Sequence, residues 1–188
     1  MRILLLDNYD SFTYNLVHLV EKIGPHKVEV FKNDAITLSQ IANYDKIILS
    51  PGPGIPSRAG IMPQLLAHYA ASKSIFGVCL GMQAIAENFN SPLQNLNTVY
   101  HGMATKINIL ETGQLFTNCP KHFVVGRYHS WVVDEQKITA DLIVTAKDDE
   151  GIIMAIKHRS LNVCGVQFHP ESILSTFGAS IMQNWLNT

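Results

Sequence analysis

Hydrophobic positions follow two different periods along this chain, and the change between them outlines its elements. Every position from Ile3 to Leu6 is apolar and Asp7-Asn8 ends the run, as in a short strand buried on both faces. Phe12, Leu16, Leu19, Val20 and Ile23 then recur at helical spacing, which predicts a helix capped by Asp10 or Ser11 and ended by Gly24-Pro25. Val28–Phe31 and Lys46–Leu49 read as a second and a third strand, and Ser74–Val78 as a fourth. A helix begins near Pro63 with Leu65, Leu66 and Tyr69 along one side, and the fourth strand runs straight into helix-like Leu80–Asn88. Such strand–helix alternation predicts a parallel sheet with helices on both faces.

The second half changes character. Thr105–Ile109, Phe123–Gly126, Leu142–Ala146, Ile152–Lys157 and Val163–Gln167 are short strands with little helix between them, which suggests an antiparallel extension. Ser172–Asn187 closes the chain as an expected helix, capped by Ser172 and apolar at Ile173, Leu174, Phe177, Ile181 and Trp185. The expected fold class is α/β: an open, doubly wound mixed sheet, mainly parallel with an antiparallel extension. No linker, repeat or low-complexity tract interrupts residues 1–188, so one domain is expected.

Charge sharpens this picture. The 188 residues carry 14 basic and 15 acidic side chains, and the near-neutral balance without a basic run argues against a nucleic-acid partner. Charged residues make up 15%, against about 25% in a typical domain, and the deficit is local. Only Arg58, Lys73 and Glu87 are charged between Ile47 and Thr105, and only Glu171 between Ser160 and Thr188. Both stretches call for burial, a partner or a site. Apolar runs are too short for a membrane span, and the first stops at Asp7, too early for a signal peptide. The 3 cysteines are too scattered for a disulfide framework or a zinc cluster, so a reducing, cytoplasmic setting is expected with no membrane and no metal.

In open α/β sheets ligands bind beyond the carboxyl ends of strands. The fourth strand ends in Gly77-Val-Cys79-Leu-Gly81, the small-x-nucleophile-x-small pattern of a sharp strand-to-helix turn. A helix N-terminus there favours the attacking thiolate, and the N–H of Leu80 can face a developing oxyanion. The competing reading is a buried structural cysteine. A cysteine nucleophile needs a base. His18, His26, His68, His101, His122 and His158 have no carboxylate at a useful spacing, whereas His169-Pro170-Glu171 does. Residues i and i+2 of an extended segment share a side, and a parallel last strand would bring this pair beside Cys79. As the lone charge in its stretch, Glu171 should have a partner.

Other motifs fail. Ser50-Pro-Gly-Pro-Gly54 is not a dinucleotide loop, because G-x-G-x-x-G breaks at Ser57 and Pro56 removes an amide, and no Walker loop occurs. It does offer rigid backbone with exposed N–H groups, suited to a second oxyanion donor. Asp7 and Asp10 suggest a receiver-domain magnesium pocket, but the third strand ends in Leu49-Ser50 rather than aspartate. Asp148-Asp-Glu150 reads as a solvated turn.

Gly77-Val-Cys-Leu-Gly-Met-Gln83, Ser50-Pro-Gly-Pro-Gly54 and His169-Pro-Glu171 together resemble the three signatures of class I (triad) glutamine amidotransferases. Asp7-Asn-Tyr-Asp-Ser-Phe-Thr-Tyr-Asn15, Gly126-Arg-Tyr-His-Ser130 and Pro170-Glu-Ser-Ile173 narrow the resemblance to the glutaminase subunits of anthranilate and aminodeoxychorismate synthases, over essentially the whole chain. The resemblance implies a flavodoxin-like amidotransferase fold, a Cys79–His169–Glu171 triad, and oxyanion N–H groups from Gly52 and Leu80. It further implies glutamine contacts in Pro53-Gly54 and at Gln83, Ser130 and Trp131, a chorismate-using synthase as partner, and no cofactor in this chain. Met82, Met103 and Trp131 depart from the residues common in the family. Two other readings stand beside this one: an amidotransferase serving a different acceptor, and a catalytically silent regulatory subunit.

Overall fold

The computed structural model describes residues 1–188. In chain order the elements are β1 (Arg2–Asp7), α1 (Thr13–Ile23), β2 (Lys27–Lys32), α2 (Leu38–Ile41), β3 (Lys46–Leu49), α3 (Met62–Tyr69), β4 (Ser74–Val78) and α4 (Leu80–Asn88). There follow β5 (Leu93–Asn95), β6 (Met103–Ile109), β7 (His122–Arg127), β8 (Trp131–Val133), β9 (Leu142–Asp148), β10 (Ile153–His158), β11 (Val163–Val166) and α5 (Gly178–Leu186). Nine strands form one sheet in the order β2-β1-β3-β4-β11-β10-β9-β6-β7, and β5 and β8 form a separate pair. The run β2, β1, β3, β4, β11 is parallel throughout. From β10 outward every pairing is antiparallel.

The pleat explains why β1 is apolar without interruption. Ile3 and Leu5 pack on one face with Leu16 and Val20 of α1 and Ile181 and Trp185 of α5. Leu4 and Leu6 pack on the other with Ile41, Leu65 and Ile85 from α2, α3 and α4. Each fully buried side chain of this kind contributes about 1.5–3 kcal/mol relative to exposure. Helices therefore cover both faces, as a doubly wound sheet requires. The edge strand β2 is only half-buried, and Arg2 and Lys27 pair with its Glu29. No helix is long and apolar enough to cross a membrane.

Several local expectations are corrected. The first helix starts at Thr13, with Phe12 exposed at the cap position rather than packed in the core. Neither Asp10 nor Ser11 occupies the cap, although Asp10 accepts the Phe12 N–H at 2.8 Å. The last helix begins only at Gly178. Ahead of it the hydroxyls of the Ser172–Thr176 stretch compete for backbone groups: Ser172 accepts the Leu174 N–H, while Ser175 accepts from Gly126 and donates to the His169 carbonyl at 2.5 Å. Ile173, expected on the packed face, is 98% exposed. Asp148 is not solvated either; only its neighbours Asp149 and Glu150 are exposed. The strands β5 and β8 and the short α2, closed by a capping box between Thr37 and Gln40, were not expected.

The delayed start of α5 serves the His169 turn. A Cβ on Gly178 would lie 1.8 Å from the Pro170 carbonyl oxygen, so the helix end and the turn fit only without a side chain there. Gly178→Ala is expected to displace Pro170, lowering the unfolding temperature by several degrees and any His169-dependent activity by about tenfold or more, as seen by thermal melts and activity on one preparation.

Candidate active site

Two neighbouring parallel strands set up the site. At the end of β4 the backbone turns into α4 through Cys79, whose φ of 51° is a left-handed value that non-glycine residues rarely adopt. The turn is tight enough that a Cβ on Gly77 would meet the Gly81 backbone at 2.5 Å, and one on Gly81 the Leu49 carbonyl at 2.4 Å. Such a conformation costs about 1–3 kcal/mol and persists because its surroundings enforce it. Here the Cys79 N–H donates to the Val166 carbonyl at 2.8 Å, and α4 begins at Leu80. The result is a buried thiol at a helix N-terminus.

Strand β11 delivers the partner. Val166 lies in register with Val78, so the residues just beyond β11 emerge beside Cys79. The His169 N–H donates to the Gly126 carbonyl, and Nδ1 of His169 lies 2.7 Å from Oε1 of Glu171. Both side chains are almost completely buried, and Nε2 of His169 and Oε2 of Glu171 have no hydrogen-bond partner. Burial alone disfavours a charged imidazole here. The adjacent Cys79 thiol and the Glu171 carboxylate outweigh it and push His169 up to about 10. Phe12 and Tyr128 pack their rings around His169, with centroids at 6.2 and 4.8 Å.

A cavity of about 270 Å³ opens over Cys79. Of the expected binding residues, Gly52, Pro53, Gly54, Gln83, Ser130 and Trp131 line it; Leu80 does not, because its side chain is buried in the core, with Cδ2 toward Gly52. The Gly52 loop is anchored by Asn8, whose N–H donates to Ser50 Oγ at 2.8 Å and whose Nδ2 donates to the Ser50 carbonyl at 2.9 Å. Gln83 Nε2 donates to the Trp131 carbonyl at 2.8 Å and to Gln167 Oε1 at 3.2 Å, and Gln167 Nε2 approaches Cys79 Sγ at 3.5 Å.

Val99, Tyr100, His101, Tyr128 and His129 also line the cavity; the first two carry no sequence signal, His101 was set aside for want of a carboxylate, and Tyr128 and His129 stood only within a motif. Gln167, next to the last strand, was missed because a lone glutamine carries no pattern. Arg127 and His129 stood in a recognised motif, yet neither had a role. No three His, Cys, Asp or Glu side chains are arranged to hold a metal ion.

The model of the glutamine amidotransferase class-I family matches residues 4–188. The chain belongs to that family. It is 43% identical to the anthranilate synthase component 2 of Lactococcus lactis, covering 98% of this chain and 93% of the relative. It is 41% identical to the aminodeoxychorismate/anthranilate synthase component 2 of Bacillus subtilis, covering 99% and 96%. The solved structure of a provisionally assigned GMP synthase subunit from Thermoplasma acidophilum shares the fold, with a TM-score of 0.89 at 21% identity over 100% of this chain and 92% of that one.

Within this amidotransferase the three departures from the common family pattern differ in weight. Met82 is fully buried against Gly165, and Met103 is exposed at the start of β6. Trp131 alone lines the cavity.

The raised imidazole makes stability depend on pH with a definite sign. Folding lifts His169 from 6.5 to about 10, so its contribution is complete below pH 6.5 and is lost as the pH rises toward 10. Urea midpoints at about pH 6.5 and pH 9.5 are expected to fall further for the native chain than for His169→Asn. An equal fall in both would contradict the electrostatic picture.

Proposed function

We propose that this amidotransferase hydrolyses the side-chain amide of glutamine and passes the ammonia to a chorismate-using synthase subunit. The observation that carries the reading is the 2.7 Å contact of His169 with Glu171 beside a cysteine forced into a strand-to-helix turn under an open cavity. Glu171 holds Nδ1 of His169, which leaves Nε2 to take the proton from Cys79 Sγ. The thiolate adds to the amide carbon, and the N–H groups of Leu80 and Gly52 face the oxyanion. His169 then protonates the amide nitrogen, the C–N bond breaks, ammonia leaves and a glutamyl thioester remains. With His169 again as base, water attacks the thioester, glutamate departs and the thiol is restored. Pro53, Gly54, Gln83, Ser130 and Trp131 form the walls that hold glutamine.

Every proton and electron pair in this sequence is handled by side chains, so the reaction needs no metal or organic cofactor in this chain. The relatives' names support both the partner and its ambiguity, since one names anthranilate synthase alone and the other both synthases. Identities of 43% and 41% do not choose between them. A reducing, cytoplasmic setting suits Cys79, Cys119 and Cys164, which are all free thiols.

Pairing the chain with each synthase, with chorismate and glutamine supplied, is expected to give anthranilate or aminodeoxychorismate. Cys79→Ala should abolish glutamate release and covalent capture of a reactive glutamine analogue while leaving the unfolding temperature within a few degrees of native. Glu171→Gln should retain capture but turn over about 100-fold or more slowly. Glutamine-dependent product from Cys79→Ala would overturn the reading.

A further inference from the structure

Arg127, the last residue of β7, is among the largest fully buried side chains, yet the chemistry above does not use it. Its Nη1 donates to Asp148 Oδ2 at 2.6 Å, with both side chains 1% exposed. Asp148 is held in turn by the N–H groups of Glu150 and Ile152 on its other oxygen. The guanidinium stacks 3.5 Å from the centre of the Tyr100 ring. Its Nε donates to His129 Nε2 at 3.1 Å. A guanidinium keeps its protons in a protein, so Nε2 of His129 must be the lone-pair nitrogen and Nδ1 must carry the hydrogen. Arg127 thereby fixes both the tautomer and the orientation of a ring that lines the cavity.

The restraint continues to the reacting centre. The backbone on either side of His129 is stitched in place: the Arg127 carbonyl accepts from the Gly102 N–H, that of His129 from the Tyr100 N–H and that of Ser130 from the Leu96 N–H. The Trp131 carbonyl accepts from Gln83, Gln83 donates also to Gln167, and Gln167 reaches Cys79 Sγ. An ion pair this deep is poor value for stability alone, because apolar side chains of the same shape serve as well or better. What it supplies here is a fixed fork with one arm on β9 and the other on the cavity wall.

We infer that Arg127, backed by Asp148, is a positioning residue for amide hydrolysis: through His129 it holds the Tyr128–Trp131 wall in the geometry that receives glutamine. The inference rests on the proposed glutaminase reading. Burial and the Arg127 charge, with a smaller effect of His169, also push His129 down to about 3, so the wall presents a neutral ring to the substrate.

The test uses the chain assembled with its synthase. Arg127→Met alone would strand the Asp148 carboxylate, so the informative variant is Arg127→Met with Asp148→Asn, which removes both charges together. It is expected to melt near the native temperature and to be alkylated at Cys79 by iodoacetamide at the native rate. Its KM for glutamine is expected to rise about tenfold or more, with a smaller change in kcat. Native KM and kcat in that variant would overturn the inference. If the double variant does not fold, His129→Leu carries the same test with the ion pair intact. It should raise KM similarly, with partial rescue by His129→Gln, which restores an acceptor for Arg127; an unchanged KM in His129→Leu would again overturn it. A native assembly without glutaminase activity would instead sink the proposed function itself.

Discussion

The site depends on one pairing, that of β11 with β4. The chain leaves β4, builds the whole antiparallel extension, and only then returns as a parallel neighbour of the strand that ends in Cys79. Without that return the thiol and the imidazole would belong to different parts of the molecule. The pairing also enforces the turn, because the Cys79 N–H has its acceptor on β11. Strain in the backbone at Cys79 is thus offset by a sheet hydrogen bond that the same strain makes possible. Glycines at 77, 81 and 165 allow β4, α4 and β11 to approach this closely, so the sequence spends its smallest residues where three elements meet.

The uneven charge along the chain follows from this arrangement. The first charge-poor stretch holds β3, β4, α4 and the Gly52 loop, and the second holds β11 and α5, so together they form the centre of the sheet and the cavity floor. Most of the strand and helix residues there are buried, and a charge placed among them would need a partner. Glu171 has one in His169. The other deeply buried charges lie outside these stretches and have partners of their own. Lys46 donates to the carbonyl of Trp185 and the hydroxyl of Thr188, while Asp7 takes Lys32 and Thr13.

Legibility in the sequence followed the range of each interaction. The parallel half could be read because burial on both faces leaves uninterrupted apolar runs, and the turn at Cys79 because its steric demand acts over two residues on each side. His169 and Glu171 were readable for the same reason. The start of α5 was not, because the hydroxyls of Ser172 and Ser175 bond to β7 and to the His169 turn, contacts that exist only after folding. Phe12 obeyed the helical period and still ended outside the core, where His169 and Tyr128 give its ring a neighbour. Asp148 looked like part of an acidic turn, since its partner Arg127 lies on a strand that pairs with neither β9 nor its hairpin. Local pattern reports what a residue does along the chain, and each of these is decided across it.

Two buried histidines, His169 of the triad and His129 of the cavity wall, show how far environment alone can separate identical groups. His169 faces Glu171 and the thiol of Cys79, and its proton is held tightly. His129 faces a permanent cation, Arg127, and stays uncharged. Burial penalises the charged form of both, so burial cannot be the cause of the difference; the sign of the nearest neighbour is. The separation suits acid–base work, which needs one group that moves protons and surroundings that do not compete for them. It also explains why each histidine's partner is itself buried: in water either neighbour would be screened, and the two rings would titrate together.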